Sequence, residues 1–338
     1  MTIALAPGTD ARAIQRVLAG LGLWTRRLAG AGGETLLEVL PHSARVSPDA
    51  LREIPGVRDV FLPESPHPRL DAHPAAVRIG HVAIGPGHPP VLMAGPCAAE
   101  SEEQVHRLAA AVARAGARVL RGGAFKPRTS PYAFAGHGRR ALRWLADAAR
   151  EHHLLLVTEV MEPSAVDVVA RVADILQVGS RNMQNFPLLH AVGEAGRPVL
   201  LKRGMAATVD EWLQAAEHCL AHGAPAVLPC ERGIRGWDRG TRNLLDLGAV
   251  ALLAGERGLP VIVDPSHAAG RRDLVVPLAR AALAAGASGL LVEVHDDPGA
   301  ALSDGPQAIR PGELAEILRF ADPPHPPGRG NRPRPLRP

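Results

Sequence analysis

Four residues in this sequence offer donor atoms for a metal ion, and six cations offer partners for anions, provided the fold gathers them. Cys97, His267, Glu293 and Asp304 supply sulfur, nitrogen and oxygen. Such a mixed set suits a divalent transition ion (Mn, Fe, Co, Cu or Zn) over Mg or Ca. Arg121, Lys126, Arg128, Arg181, Lys202 and Arg232 form the second set. Guanidinium and ammonium groups in a low-dielectric site need anionic partners, and the guanidinium fork fits phosphate and carboxylate. Six such cations imply a substrate load of several negative charges, such as two phosphorylated compounds.

Taken singly, each residue has a plainer reading. A cysteine just past an apolar run is compatible with packing, redox or nucleophilic roles. Cys219 lies in a helical pattern and reads as a small buried residue; Cys230 fits packing and site lining equally. Asp304 before Gly305 also reads as a turn residue. Glu293 after Leu290-Leu291-Val292 is different, because a carboxylate at the end of a buried strand is costly without a cation.

The elements that would position these residues follow from the apolar runs. Eight recur, each followed by a helical pattern: Val91–Ala94, Arg118–Leu120, Leu154–Val157, Ile175–Val178, Val199–Leu201, Ala226–Leu228, Val261–Val263 and Gly289–Val292. Helical spacing is clear over Glu102–Ala115 and Arg139–His152. Eight β-then-α units predict an α/β fold, a (β/α)8 TIM barrel, in which every strand's C-terminal end meets at one mouth. A doubly wound open sheet is disfavoured, since no Gly-x-Gly-x-x-Gly follows any strand. Ahead of the barrel, Val77–Ile84 reads as a short hairpin. Residues 1–63 give the order βαββαβ, a small α+β ferredoxin-like domain. Residues 64–76, rich in Pro and His, read as a linker, 77–321 as the barrel, and the Pro/Arg-rich 322–338 as a disordered tail.

Composition narrows the function class. The 338 residues are 46% hydrophobic, enough to bury a large core. A formal charge of +4 with only 3% aromatics disfavours nucleic-acid binding. Three cysteines without disulfide spacing suit a reducing compartment. No run reaches the ~18 apolar residues of a membrane span, and the first residues lack a signal-peptide pattern. The expectation is a cytoplasmic protein that acts on small anions and binds neither nucleic acid nor membrane.

Longer motifs then carry a resemblance. GPCAAES, LRGGAFKPRTSPYAFAG, VGSRNMQNF, LLKRG, CERGIRG, VDPSHAAGRRD, VEVH and LSDG, spread from about Val77 to Ala321, resemble the 3-deoxy-D-arabino-heptulosonate 7-phosphate (DAHP) synthases. The similarity is to the type I branch related to 3-deoxy-D-manno-octulosonate 8-phosphate (KDO8P) synthase. It implies a transferase that condenses phosphoenolpyruvate with erythrose 4-phosphate and releases phosphate, the first step of the shikimate pathway toward aromatic amino acids. It assigns Cys97, His267, Glu293 and Asp304 to a divalent metal. It assigns Arg121, Lys126, Arg181, Lys202 and Arg232 to phosphoenolpyruvate, and Arg128 and Thr129 to erythrose 4-phosphate. Asp264 joins the substrate-binding residues, and Lys126, Cys97 and His267 the catalytic ones, with Lys126 as proton donor.

The resemblance also implies a homotetramer and an N-terminal module that responds to tyrosine or phenylalanine. Departures are local: Ala98-Ala99 after Cys97, HAAG in place of HSGG, and Leu244 in place of Thr. Two rivals remain, a KDO8P synthase using arabinose 5-phosphate and a non-catalytic amino-acid sensor. Lys-Pro-Arg-Thr-Ser favours the four-carbon aldose, and the intact metal set speaks against a sensor.

Overall fold

The structure, a computed structural model, describes all residues except 31–32, 127–131, 133 and 319–338. Arg128, Thr129 and the tail 322–338 therefore lie outside the described residues. The described chain divides into two compact units, Met1–Pro66 and His67 onward.

In the first unit, strand β1 (Thr2–Leu5) leads to helix α1 (Ala11–Gly20), strands β2 (Thr25–Ala29) and β3 (Thr35–Val39), helix α2 (Pro48–Arg52) and strand β4 (Val57–Phe61). Asp10 caps α1 by accepting the Arg12 amide, and Pro48 opens α2 at a position where its missing N–H costs nothing. The sheet order β2-β3-β1-β4 is antiparallel throughout, which is the ferredoxin-like arrangement. Ile3, Leu5, Ile14, Leu18, Leu37, Leu51 and Val60 form its own core.

The second unit begins with a one-turn helix, α3 (Pro68–Asp71), whose Arg69 and Leu70 amides donate to the Glu217 carboxylate at 3.0 and 2.9 Å. Part of the expected linker is thus built into this unit. Strands β5 (Val77–Ile79) and β6 (Val82–Ile84) form the hairpin. The barrel strands follow: β7 (Val91–Gly95), β8 (Val119–Arg121), β9 (Leu155–Val160), β10 (Ile175–Val178), β11 (Val199–Lys202), β12 (Val227–Glu231), β13 (Ile262–Val263) and β14 (Gly289–Glu293). All eight pair in parallel, and β14 closes on β7. The helices between them are α4 (Glu102–Arg114), α5 (Arg139–Glu151), α6 (Val166–Ala170), α7 (Phe186–Glu194), α8 (Val209–Ala221), α9 (Leu247–Ala251), α10 (Pro265–Ala269) and α11 (Arg272–Ala284), with α12 (Pro311–Leu318) last.

Alternation along the strands separates two cores. Val91, Met93, Val119, Val157, Leu200, Leu228, Ile262 and Leu291 point inward and pack with Val77, Ile79, Val82 and Ile84, so the hairpin joins the barrel's inner core. Leu92, Ala94, Leu120, Leu156, Leu201 and Val292 point outward against the helices. A strand buried on both faces must be apolar throughout, which is why these runs stand out in the sequence. Cys230 belongs to the inner core and Cys219 to the outer one. No helix among the described residues is long and apolar enough to cross a membrane.

Candidate active site

Two glycines bring the first two strand ends together. A Cβ on Gly95 would lie 2.0 Å from the Arg121 carbonyl oxygen, and one on Gly123 would lie 2.7 Å from that of Cys97. With only hydrogen there, the Gly123 amide donates to Cys97 O at 3.0 Å and the Ala99 amide to Gly123 O at 3.0 Å. Cys97 is thereby held against the loop that carries Lys126, whose Nζ donates to Cys97 O at 3.0 Å and to Cys97 Sγ at 2.9 Å.

From the opposite side, β14 ends in Glu293 and the following loop returns Ser303 and Asp304. Cys97 Sγ lies 3.2 Å from Ser303 Oγ and 3.2 Å from Asp304 Oδ2. Ligand atoms of Cys97, Glu293 and Asp304 all fall within 4.8 Å of one another. His267 Nε2 is 3.5 Å from Glu293 Oε1. The structure therefore brings together the four residues expected to hold a metal. One atom tests the fit: Glu293 Oε1 is buried and accepts no hydrogen bond from the described residues, although Gln307 donates to Oε2 at 2.6 Å. Arg121 Nη1 sits 3.2 Å from Oε1 but spends its hydrogen bond on Pro96 O at 2.6 Å. A buried carboxylate oxygen without a donor, beside a thiol, an imidazole and a second carboxylate, is what a cation-binding site requires.

The charges agree. Burial pushes the Cys97 thiol up to about 12, and Glu293 adds to that rise while Lys126 opposes it. On its own the sulfur is a neutral thiol and a poor nucleophile; a bound cation would take it as thiolate. Burial would also raise Asp304 and Glu293, but His267 and the neighbouring cations together outweigh it at both. Arg121 adds to the pull on Glu293, and the Cys97 and Arg242 contacts bring Asp304 to about 2.

Asp264, grouped with the substrate residues from the sequence, also organises its neighbours. It caps α10 by accepting the His267 amide at 3.0 Å. Its Oδ2 accepts from His267 Nδ1 at 2.7 Å and from Lys202 Nζ at 2.5 Å. The Nδ1 contact makes that nitrogen the donor and turns Nε2 toward Glu293, the orientation given to many metal-binding histidines. Burial alone would raise Asp264, but His267 and Lys202 hold it well below the usual carboxylate range.

The cations line one cavity. Lys126, Arg181, Lys202 and Arg232 border it, with Arg242, His267 and Asp304. Arg232 is 4% exposed and, among the described residues, bonds only to the carbonyls of Gly233 and His267. Among the described residues, Arg181 makes no hydrogen bond or ion pair, and the buried Arg121 Nε has no partner. Three guanidinium groups with unspent donors make an anion site. Sequence reasoning missed several supports. Arg203, next to Lys202, joins the fully buried Glu231 at 3.1 Å and Asp246 at 2.8 Å. Arg242 binds Asp304 at 3.1 Å, and Gln307 binds Glu293. Only the adjacency of Arg203 to Lys202 signalled any of these.

The DAHP synthetase I family matches residues 67–322. A phospho-2-dehydro-3-deoxyheptonate aldolase from Thermotoga maritima is 40% identical over 315 residues, covering 91% of this chain and 93% of that one. A 2-dehydro-3-deoxyphosphooctonate aldolase from Acidithiobacillus ferrooxidans is 36% identical over 263 residues, 72% of this chain and 92% of its own. The crystal structure of a Thermotoga maritima phospho-2-dehydro-3-deoxyheptonate aldolase (DAHP synthase) aligns with a TM-score of 0.73 at 38% identity, covering 94% of this chain and 95% of that one. By its barrel, its clustered strand-end residues and these matches, the chain belongs to the DAHP synthetase I family.

Proposed function

We propose that this protein is a DAHP synthase, joining phosphoenolpyruvate to erythrose 4-phosphate with release of phosphate. The observation that carries the reading is the set of unspent guanidinium donors on Arg181 and Arg232, which line a cavity, and on the buried Arg121, which pairs with Glu293 of the cation-binding cluster beside it. That arrangement takes a phosphorylated carboxylate next to an electrophile. The heptonate relative, matched along 91% of the chain, favours erythrose 4-phosphate over arabinose 5-phosphate.

Cys97, His267, Glu293 and Asp304 would hold a divalent ion, with Mn, Fe, Co and Zn all suited to the donor set. When bound, such an ion supplies Lewis acidity to the aldehyde oxygen. The chain's own residues do the rest. Arg181, Lys202 and Arg232 take the phosphate of phosphoenolpyruvate, while Arg121 and Lys126 take its carboxylate end; Arg128 and Thr129 take the aldose phosphate. The cations offset the repulsion between two polyanions and hold the reacting carbons in line. C3 of phosphoenolpyruvate then attacks the aldehyde carbon. Lys126 uses two of its three N–H donors on Cys97, so the third serves to protonate the new hydroxyl oxygen. Water adds at C2, and the C–O bond breaks to release phosphate.

The N-terminal module, with a separate core, suits an effector-binding role for tyrosine or phenylalanine within a cytoplasmic homotetramer. Its removal is best made after Pro66, because residues from His67 pack with the barrel unit. Inhibition by either amino acid should vanish on that truncation, and inhibition that survives it would refute the assignment. The activity itself is tested by measuring phosphate released from phosphoenolpyruvate with each aldose. Preference for arabinose 5-phosphate would replace this reading with the octulosonate one.

A further inference from the structure

A second cluster of metal-type ligands stands on the outer helices, away from the strand ends. His190 lies on α7, His218 on α8, and His222 at the C-terminal cap of α8, all half-buried. Ligand nitrogens of the three fall within 4.8 Å of one another. His190 Nε2 is 3.3 Å from His218 Nδ1, close to the ~3.4 Å edge of a tetrahedron drawn around zinc with Zn–N near 2.1 Å. His218 and His222 stand four apart, so one turn of helix presents both rings on one side. His222 Nδ1 donates to the His218 carbonyl at 2.8 Å. That bond fixes the tautomer and leaves Nε2 as the lone-pair nitrogen, the outer-shell device seen behind metal-binding histidines. The rings of His190 and His222 stack at 3.7 Å with 13° between planes. Closing on one ion asks only for a turn about χ2, a soft torsion for imidazole.

We propose that His190, His218 and His222 bind one divalent ion of the zinc, nickel or copper class, clasping α7 to α8. Three imidazoles without a carboxylate among them select such ions over Mg or Ca. Glu194 lies one turn beyond His190 on α7. A clasp at this point acts on stability and not on turnover.

The test uses the full chain, stripped with a chelator and titrated with zinc chloride alone. The paired variant His218→Gln/His222→Gln is expected to bind one zinc fewer per chain than wild type and to lose part of the zinc-induced rise in Tm. Its phosphate release should match wild type. Equal zinc stoichiometry in the two proteins would overturn the proposal. Cys97→Ala separates the two centres, because it should keep the imidazole-bound zinc while losing the other. Should the paired variant fold poorly, wild-type crystals soaked in zinc decide the matter. An anomalous peak among the three rings supports the site, and its absence there rejects it.

Discussion

Asp264→Asn should damage both stability and the metal centre, and the structure sets the size of each effect. Asp264 is 1% exposed and pairs with Lys202, itself 4% exposed, and with His267. Asn retains the oxygen that caps α10 but leaves the Lys202 ammonium without a counter-charge. Breaking a buried pair by removing one partner costs about 3–5 kcal/mol. For a domain of this size that corresponds to a fall in Tm of about 6–20 °C. The sign with pH is fixed by the lowered pKa: the carboxylate's contribution is complete above its unfolded value of 3.8 and is lost as pH falls through the still lower folded value. The gap between wild type and variant should therefore hold steady from pH 5 to 8 and narrow only in stronger acid. The His267 ring also loses its anchor, for which about 10–100-fold in metal affinity or activity is expected. Thermal melts across pH, with kcat and metal titration at pH 7, measure all three. A variant within 2 °C and about twofold of wild type would refute the role given to Asp264.

Gly95→Ala should remove most activity with the barrel still folded, since its Cβ would strike the Arg121 carbonyl and push β7 from β8. A displacement near 1 Å at the site is worth about 100-fold in rate, and unchanged kcat would contradict the close approach. Arg203→Met should lower Tm strongly by leaving the fully buried Glu231 unpaired; the double variant Arg203→Met/Glu231→Met should recover much of the loss in a melt. Lys126→Met should lower kcat by about 10²–10⁴-fold, with a smaller change in KM for phosphoenolpyruvate; equal changes in both would recast Lys126 as a binding residue only.

The barrel was legible because its strands are buried on both faces. Ile175–Val178 is found with the expected bounds, and the other seven runs shift by one to three residues at their ends. The ferredoxin-like order was legible from the alternation of short strands and two helical stretches over residues 1–63. The gathering of Cys97, His267, Glu293 and Asp304 followed from one topological rule, that strand ends of a barrel converge. What could not be read were contacts made by returning loops. Gln307 reaches Glu293, Ser303 reaches Cys97, and Arg242 reaches Asp304 across 62 residues. Periodicity carries no trace of such pairs. The contacts of Asp264 were hidden for a related reason: its position after an apolar strand marks it as part of the mouth, whereas only the geometry shows it turned toward Lys202 and His267.

Phosphate release from phosphoenolpyruvate, measured with erythrose 4-phosphate before and after chelation and again after a divalent ion is restored, bears most directly on the chemistry assigned to this cavity. The expected result is release that stops on chelation, returns with Mn or Zn in wild type, and does not return in Cys97→Ala. Full release from the metal-free protein, or from Cys97→Ala, would contradict it.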